Sequence, residues 1–433
     1  MGQSDLIGKN VVVVEGNRIP FLRSGTNYQD LMAYQLGAMA ISGLLYKSAI
    51  EANQVDRVIM GTVVHNIQTA NVARESALTA GIPSTTPALT VSQACISANA
   101  AIAQGADLIR TNQANVVVAG GTDCVSDIPI GFRKKMRKKL FNAQKIKGIG
   151  DMIKFGLSLS PNDFKPEVPT ISEFSTGKTM GQDCDLMAAR YGVSREEQDE
   201  FAERSHQLAA KAQKEGVLDQ EISKAEFPPK FDPIHEDNTI RADTTKERLA
   251  KLRPAFDKKH GTLTAGNSSF LTDGAAVVLL MSEEKAEEFG IKAKARIKDY
   301  VFTGQDPDEE LLLGPAYATY KILKQQGLHL NDFDVFEYHE AFAAQILTNL
   351  KCIDSDTFAK DKIGLDKKLG EIPLDKFNIH GGSLSLGHPF GATGARILTT
   401  AINRLQREDG NLAIIAACAA GAHGHAMILE RMN

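Results

Sequence analysis

Five short, largely apolar and β-branched runs constrain the fold of this chain more than any other feature. They occupy positions 11–14, 57–60, 116–119, 275–281 and 412–416. Strands that are apolar on both faces are typical of sheets buried between two layers of helices. Because helical stretches separate the runs, the sequence predicts a layered α/β fold.

The overall composition indicates an ordinary globular protein. Of the 433 residues, 43% are hydrophobic and 24% are charged, and the formal net charge is −4. This charge is too small to favour a nucleic-acid partner. Five cysteines without a CxxC pair favour a reducing compartment over a disulfide framework.

The amino-terminal sequence, MGQSDLIGKN, resembles neither kind of cleaved targeting segment. It lacks the apolar core of a signal peptide and the arginine-rich character of a transit peptide. No apolar run approaches the roughly 18 residues of a membrane span. The sequence therefore predicts a cytoplasmic protein.

Two segments repeat one arrangement of a reactive residue, a helix and a strand. Cys95 precedes a predicted helix at 97–111 and a strand at 115–119. His388 precedes a predicted helix at 395–407 and a strand at 412–416, which Cys418 follows. The repeat predicts an internal duplication with a reactive site between its halves.

Residues 122–261 differ from both halves because charged residues are frequent there. Ser194 and Glu197 form a capping box that predicts an amphipathic helix over 194–214. Residues 128–165 carry ten basic and two acidic side chains, a local charge of +8, interleaved with apolar ones. Such a segment can dock on a partner or an anionic membrane, attract the phosphates of a nucleotide-bearing substrate, or form a solvated helix face.

Cys95 and His388 are the first candidates for chemistry. The helix dipole and free backbone N–H groups favour a thiolate at the start of a helix. His388 lies in a segment with five glycines, 381–394, where Pro389 restrains the chain. A histidine held in this way can orient and deprotonate a thiol. The alternatives are a buried structural cysteine and a structural histidine in a turn.

Cys418 and His339 extend this set. A second thiol at the end of an apolar strand can accept and donate a proton. A histidine between a strand and a helix can donate a hydrogen bond to a developing oxyanion. The histidines at 380, 388, 423 and 425 lack the spacing and the cysteine partners of a zinc site, so no metal is predicted.

Several motifs resemble the thiolase family along essentially the whole chain. They are Arg-Ile-Pro-Phe at 18–21, the Cys95 segment, Leu-Arg-Pro-Ala-Phe-Asp at 252–257, Thr-Ala-Gly-Asn-Ser-Ser at 264–269, Thr-Asp-Gly-Ala-Ala at 272–276, His-Glu-Ala-Phe-Ala at 339–343, Gly-His-Pro at 387–389 and Cys418. The resemblance implies the thiolase fold, with two duplicated five-stranded α/β halves in αβαβα layers and an inserted, mainly helical loop domain. The N-terminal half would comprise 1–121 plus 262–285, the loop domain 122–261 and the C-terminal half 286–433.

The resemblance also implies roles in the cleavage of a 3-ketoacyl-CoA by coenzyme A. Cys95 matches the nucleophile, His388 the base that activates it and Cys418 the acid/base cysteine. Contacts with substrate are implied for three more residues. Ser269 matches a residue that lines the pantetheine channel, and Met180 matches a residue of the loop domain that contacts substrate. Ala420 would contribute its backbone N–H. No cofactor is implied, because coenzyme A is a substrate.

Two positions depart from the usual family pattern. His339 stands where the family has asparagine, and Ala420 stands where a Cys-x-Gly motif has glycine. Together with the basic insert, these departures resemble the thiolase subunit of the fatty-acid β-oxidation multienzyme complex. That similarity implies a homodimeric core, a partner subunit with enoyl-CoA hydratase and 3-hydroxyacyl-CoA dehydrogenase activities, and medium- to long-chain substrates. It also implies a bacterial-type cytoplasmic protein or a mature mitochondrial one.

The sequence leaves three alternatives open. A biosynthetic thiolase acting on acetyl-CoA would use the same residues. A β-ketoacyl synthase would use a cysteine with two histidines, where this chain offers His388 and Cys418. A non-catalytic acyl-CoA-binding scaffold would not need Cys95, His388 and Cys418 together.

Overall fold

The computed structural model describes residues 8–169 and 172–432. The prediction about a targeting segment depends in part on residues 1–7, which lie outside this range. Within the described part of the chain, no helix is both long enough and apolar enough to cross a membrane.

Twelve strands in the described residues include all five runs that the sequence predicted as strands. Their bounds are β1 (Val11–Arg18), β2 (Leu22–Arg23), β3 (Arg57–Gly61), β4 (Ala88–Val91), β5 (Val116–Asp123), β6 (Gly131–Phe132), β7 (Pro166–Glu167), β8 (Thr272–Ser282), β9 (Ala295–Gly304), β10 (Val335–Tyr338), β11 (Leu412–Ala419) and β12 (His423–Arg431).

Fourteen α-helices lie between these strands in the same residues. Their bounds are α1 (Ala33–Ser48), α2 (Val72–Thr79), α3 (Ser97–Arg110), α4 (Lys134–Ala143), α5 (Ile149–Ser158), α6 (Met180–Arg190), α7 (Arg195–Lys214), α8 (Lys246–Leu249), α9 (Glu283–Glu288), α10 (Gly314–Gln326), α11 (Ala343–Ile353), α12 (Asp356–Phe358), α13 (Ser383–Leu386) and α14 (Thr393–Arg407). The capping box predicted for α7 is confirmed, because the Glu197 N–H donates to the Ser194 hydroxyl and the Ser194 N–H donates to the Glu197 carboxylate.

The two halves share one sheet topology, as the predicted duplication requires. The N-terminal half has the order β4-β3-β5-β8-β1, and the C-terminal half has the order β10-β11-β12-β9. In each half the two strands that correspond to β3 and β5 are parallel, and the next two pairings are antiparallel. A short pairing of β1 with β9 joins the halves into one continuous sheet.

The C-terminal counterpart of β4 is reduced to an isolated parallel bridge between Phe336 and Phe377. Asn378 explains this difference from a five-stranded half. Its φ of 44° turns the chain away after the bridge. Its side-chain amide then accepts a hydrogen bond from the Tyr338 N–H and donates one to the Tyr338 carbonyl, both at 2.9 Å. One side chain thus replaces the pairing that a longer strand would provide.

Five layers of alternating helices and sheet follow from the burial of both sheet faces. Helices α1 and α2 cover the outer face of the N-terminal half, where Val12 and Met60 are buried. Helices α3 and α14 lie between the halves and pack on inward residues such as Val117 and Ile415. Helices α10 and α11 cover the outer face of the C-terminal half around Phe336. This is the predicted αβαβα arrangement.

Glycines allow the central layer to approach β5 and α3 closely. A Cβ at Gly121 would lie 1.9 Å from the carbonyl oxygen of Gly391, and a Cβ at Gly394 would lie 2.1 Å from the Asn99 side-chain oxygen. No larger residue fits these contacts without displacing backbone or a buried side chain. The segments around Cys95 and His388 therefore pack with their backbones in direct contact.

The inserted segment consists of two different parts. Helices α6 and α7 pack against α11 and contribute Met187 and Phe201 to the buried cluster on the C-terminal half. Helices α4 and α5 form a hairpin that bears most of the basic residues. Strand β5 continues to Asp123, so the proposed boundary at residue 121 falls within a strand of the N-terminal half.

We expect Gly121→Ala to destabilise the protein, because its methyl group would overlap the Gly391 carbonyl. Overpacking of this kind costs roughly 1–3 kcal/mol or more. The midpoint of thermal unfolding should therefore fall. Gly150→Ala is the matched control, since nothing lies within 4 Å of the added Cβ on α5. An unchanged midpoint for Gly121→Ala would contradict the close approach of the two halves.

Candidate active site

Four predicted reactive residues lie where strands end or helices begin. Cys95 precedes α3 by two residues, and His388 lies in the loop between α13 and α14. His339 directly follows β10, and Cys418 lies near the end of β11. The duplicated topology places these four positions around one region between the two halves.

Cys95 lies in a tight turn that its neighbours hold in place. Ala94 has a φ of 47°. The Ser97 hydroxyl accepts a hydrogen bond from the Gln93 N–H at 2.8 Å and donates one to the Ala94 carbonyl at 2.7 Å. These bonds fix the backbone of the turn and therefore the direction of the Cα–Cβ bond of Cys95.

The resting Cys95 is a neutral thiol. Burial raises its pKa to about 12, although the N–H groups of Ala420 and Cys95 point at the sulfur and act in the opposite direction. The sequence-based prediction of a thiolate is therefore wrong for the resting site. Helix α3 begins only at Ser97, and the loss of water outweighs the backbone donors.

His388 presents a free ring nitrogen to the site. The Thr393 hydroxyl donates to the Pro389 carbonyl at 3.1 Å, so it accepts the 2.6 Å hydrogen bond from Nδ1–H of His388. This bond leaves the proton on Nδ1 and a lone pair on Nε2. The buried Nε2 has no hydrogen-bond partner among residues 8–169 and 172–432. Burial lowers the pKa of His388 to about 3, so the ring is a neutral acceptor.

His339 lies beside His388 but has a different partner. Its Nδ1 is 2.9 Å from the Ser383 hydroxyl oxygen. The same oxygen accepts a hydrogen bond from the Arg396 guanidinium at 3.1 Å. Burial, together with His388 and Arg396, holds the pKa of His339 well below its usual range. Its buried Nε2 likewise lacks a partner in the described structure.

The distances bring the reactive groups together. Ligand atoms of Cys95, His339 and His388 all lie within 4.8 Å of one another. The centroids of the two imidazole rings are 4.1 Å apart, with an interplanar angle of 42°. Burial raises the pKa of the Cys418 thiol, and its nearby neighbour Cys95 raises it further. Two thiols and two imidazoles therefore lie close together, and of these groups Cys95 is partly exposed and the other three are buried.

Asp123, at the end of β5, ties the loops around this region to each other. Its fully buried carboxylate accepts hydrogen bonds from the Thr62 hydroxyl, from the N–H groups of Val63 and Val64, and from the Gly391 N–H. The last bond crosses between the two halves. Sequence reasoning missed Asp123, because a carboxylate after Gly-Gly carries no local signal of such partners.

A cavity of about 350 Å³ lies next to the site, with a largely apolar lining. Met180 and Ala420, two of the predicted substrate contacts, line it together with Phe390 and Val64. Ser269, the third predicted contact, is half-buried and is not among the lining residues of this cavity. Its N–H donates to the Ala341 carbonyl at 3.0 Å.

Cys95, His339 and His388 are also a set of residue types that can bind a metal ion. The sequence grouped His388 with the histidines at 380, 423 and 425 instead, because Cys95, His339 and His388 are separated by more than forty residues from one another. It also gave no role to Thr393, Ser383 or Arg396. The spacing of five residues from His388 to Thr393, across the start of a helix, was the one available signal for Thr393.

The comparisons with known proteins agree with this architecture. The model described as "Thiolase, N-terminal domain" matches residues 11–284, and "Thiolase, C-terminal domain" matches residues 291–431. The chain is 52% identical to "Trifunctional enzyme subunit beta, mitochondrial" of Mus musculus, over 98% of this chain and 88% of that protein. It is 48% identical to "Probable 3-ketoacyl-CoA thiolase" of Caenorhabditis elegans, over 97% and 94% of the two chains.

Among solved structures, the acetyl-CoA acetyltransferase of Bacillus anthracis superposes with a TM-score of 0.85. The two chains are 33% identical, and the match covers 99% of this chain and all of that one. The resemblance seen in the motifs, the duplicated layers and the two matching domain models lead to one conclusion. The chain belongs to the thiolase family.

Proposed function

We propose that this protein is a degradative 3-ketoacyl-CoA thiolase, an acetyl-CoA C-acyltransferase of fatty-acid β-oxidation. The observation that carries the proposal is the meeting of Cys95, His388, His339 and Cys418 in one site, where Cys95 is partly exposed and the others are buried. The two named relatives support the substrate class, since one is a 3-ketoacyl-CoA thiolase and the other a trifunctional-enzyme subunit.

In the first half-reaction, Cys95 becomes acylated. As the 3-keto carbon approaches, Nε2 of His388 accepts the Cys95 proton and the sulfur attacks that carbon. The oxyanion accepts a hydrogen bond from the protonated His388 and a second one from His339. The bond between C2 and C3 then breaks, and its electron pair leaves on C2 of acetyl-CoA. Cys418 protonates this carbon, which leaves an acyl thioester on Cys95.

In the second half-reaction, coenzyme A removes the acyl group. The Cys418 thiolate accepts the proton of the CoA thiol, and the CoA sulfur attacks the thioester carbonyl. The N–H groups of Ala420 and Cys95 both point at the Cys95 sulfur, so they can bind this second oxyanion. Collapse of the intermediate releases acyl-CoA, and His388 returns its proton to Cys95. Every residue is restored.

The proposal requires coenzyme A as a substrate and no metal or other cofactor. Zinc bound to Cys95, His339 and His388 would occupy the thiol and the lone pair that the reaction uses. The cavity lined by Met180 and Ala420 is the proposed path of the thioester arm, and Ser269 is proposed to contact pantetheine. For the domains, we propose the units 1–121 plus 262–285, 122–261 and 286–433, with the first boundary moved to residue 123, where β5 ends.

We further propose a homodimeric core within a larger complex. The partner would carry the hydratase and dehydrogenase activities that produce the 3-ketoacyl-CoA, in line with the name of the trifunctional relative. Medium- and long-chain substrates would follow from that association. The location would be a bacterial-type cytoplasm, or the mitochondrion for a mature organellar form.

The α4–α5 hairpin is the proposed contact surface for that partner or for an anionic membrane. Along α5, Ile149, Ile153 and Leu157 follow one another at helical spacing and are 75%, 58% and 83% exposed. Lys139 of α4 donates a hydrogen bond to the Ser158 carbonyl at the end of α5, and α4 buries only Met136. An exposed apolar stripe with basic neighbours is typical of an interaction surface.

One observation favours a second candidate, the β-ketoacyl synthase. His339 lies beside His388, so the site has a cysteine with two histidines as well as Cys418. A synthase would decarboxylate a malonyl thioester and condense it with the acyl group on Cys95. Decarboxylation of malonyl-CoA at a rate above that of ketoacyl cleavage would favour this candidate over the thiolase.

We expect an acyl adduct on Cys95 when the protein meets 3-ketoacyl-CoA without free CoA. Intact-mass measurement should show an acyl group two carbons shorter than the substrate. Cys95→Ala should abolish the adduct, and Cys352→Ala, a buried cysteine on α11, should retain it. Cleavage rates should be higher with 3-ketohexadecanoyl-CoA than with acetoacetyl-CoA.

Cys418→Ala should separate the two kinds of step. Cleavage of the carbon–carbon bond should fall by about 10²–10⁴-fold, because the carbanion loses its acid. Acylation of Cys95 by an ordinary acyl-CoA should fall less, since a thiolate leaving group needs protonation much less than a carbanion does.

Two outcomes of the adduct and rate measurements would contradict the proposal. Tight substrate binding without any adduct on Cys95 would support a scaffold, and a strong preference for acetoacetyl-CoA would contradict the chain-length proposal.

The alkylation of Cys95 by iodoacetamide should rise about tenfold for each unit of pH between 6 and 9. With a pKa of about 12 for Cys95 and about 3 for His388, both groups stay neutral over this range, and the thiolate fraction grows in proportion to hydroxide. Peptide mass spectrometry gives the rate. A plateau above pH 7 would show a resting thiolate and contradict this description of the site.

The triple substitution of Ile149, Ile153 and Leu157 by serine should weaken binding to vesicles of anionic lipid or to the partner subunit. Deletion of residues 133–154 should do the same, while thiolase turnover stays unchanged. Tyr46→Ser removes an 89% exposed side chain on α1 and is the matched control. Cosedimentation and partner capture measure the effect, and no change in either assay would remove the hairpin from the proposal.

A further inference from the structure

We propose that Ser383 and Arg396 are positioning residues that keep the proton of His339 on Nε2, where it can be donated to the oxyanion. This inference deepens the proposed thiolase reaction and rests on it. The location of this proton matters because position 339 is a histidine. An asparagine amide always has N–H donors, whereas a neutral imidazole has one N–H that can lie on either nitrogen.

The hydrogen bonds of Ser383 favour one of the two nitrogens, because the buried hydroxyl proton also needs an acceptor. A guanidinium group can only donate, so the 3.1 Å bond from Nη2 of Arg396 uses an acceptor site of the Ser383 oxygen. The hydroxyl proton is then free for another acceptor. In the described structure that acceptor is Nδ1 of His339, at 2.9 Å. A lone pair on Nδ1 places the proton on Nε2.

Arg396 is buried at a site that offers it few other hydrogen bonds. Its side chain is completely buried, and its Nε and Nη1 have no hydrogen-bond partner in the part of the chain that the structure describes. Glu337 lies 3.9 Å from Nη1 and is itself paired with Arg404 at 2.9 Å. A buried guanidinium with so few bonds is costly to fold, which indicates that its bond to Ser383 serves a function.

The two neighbouring histidines thereby receive opposite tautomers. Thr393 accepts from Nδ1–H of His388 and leaves Nε2 as a base, whereas Ser383 donates to Nδ1 of His339 and leaves Nε2 as a donor. The opposite assignment at His339 would direct a lone pair towards the oxyanion. One imidazole can therefore take the Cys95 proton while the other stabilises the charge that follows.

The test is a double-mutant cycle between Ser383→Ala and His339→Asn. With His339 present, Ser383→Ala should lower kcat for ketoacyl cleavage by about 10²-fold, the usual effect of losing one oxyanion donor. KM should stay within about twofold, because the donor acts on the transition state. With asparagine at 339, the same substitution should change kcat by less than about threefold, since the amide needs no tautomer.

Two controls separate positioning from packing. Ser385→Ala removes a buried hydroxyl from the same short helix, where it bonds to Ser205 and the Gly382 carbonyl, and it should lower kcat equally in both backgrounds if at all. Arg396→Lys keeps a donor near Ser383 and should retain more activity than Arg396→Met. Equal losses from Ser383→Ala in both backgrounds would overturn the inference.

A second readout does not depend on turnover. Nitrogen-15 NMR of histidine-labelled protein, assigned with His339→Asn, should show the His339 proton on Nε2 in the wild type and a shift towards Nδ1 in Ser383→Ala. A wild-type proton on Nδ1 would overturn the inference even in an active enzyme. If the wild-type protein fails to cleave 3-ketoacyl-CoA but shows the Nε2 proton, the proposed function fails and the positioning stands.

Discussion

The close contact of the two halves across the central layer is the constraint on which the rest of the structure depends. Helices α3 and α14 share one apolar core with the inward faces of the sheet in both halves. Gly121, Gly391 and Gly394 let backbone meet backbone there, and Asp123 bonds to loops of both halves. Because this packing buries His339, His388 and Cys418 and leaves Cys95 only partly exposed, the side chains that enter from each half meet in a region with little access to water.

Burial then decides the chemistry of the resting site. It keeps Cys95 a thiol although backbone N–H groups act in the opposite direction, and together with the charge of Arg396 it keeps both imidazoles neutral. Charges appear only when a substrate supplies a carbonyl to receive them. Fixed hydrogen bonds replace solvent in choosing which nitrogen of each ring holds its proton, so two identical residue types can serve as a base and as a donor.

Much of the fold could be predicted from local patterns. Runs that are apolar on both faces located β1, β3, β5, β8 and β11, and the capping box at Ser194 located the start of α7 within one residue. The pairing partners could not be predicted in this way. The isolated bridge at Phe377 depends on a left-handed Asn378 whose side chain bonds to Tyr338, forty residues away. Such contacts have no periodicity along the chain.

For the site, the sequence by itself determined the reactive residue types and their order along the chain, because the proposed nucleophile, base and acid stand in recognisable segments around Cys95, His388 and Cys418. Only the tertiary structure decided their protonation. The helix start at Cys95 suggested a thiolate, but the desolvation that raises its pKa comes from the whole surrounding fold. Likewise, only the fold decides whether the hydroxyl groups of Thr393 and Ser383 donate to or accept from the two histidines. A hydroxyl can do either, according to the groups that the fold places beside it.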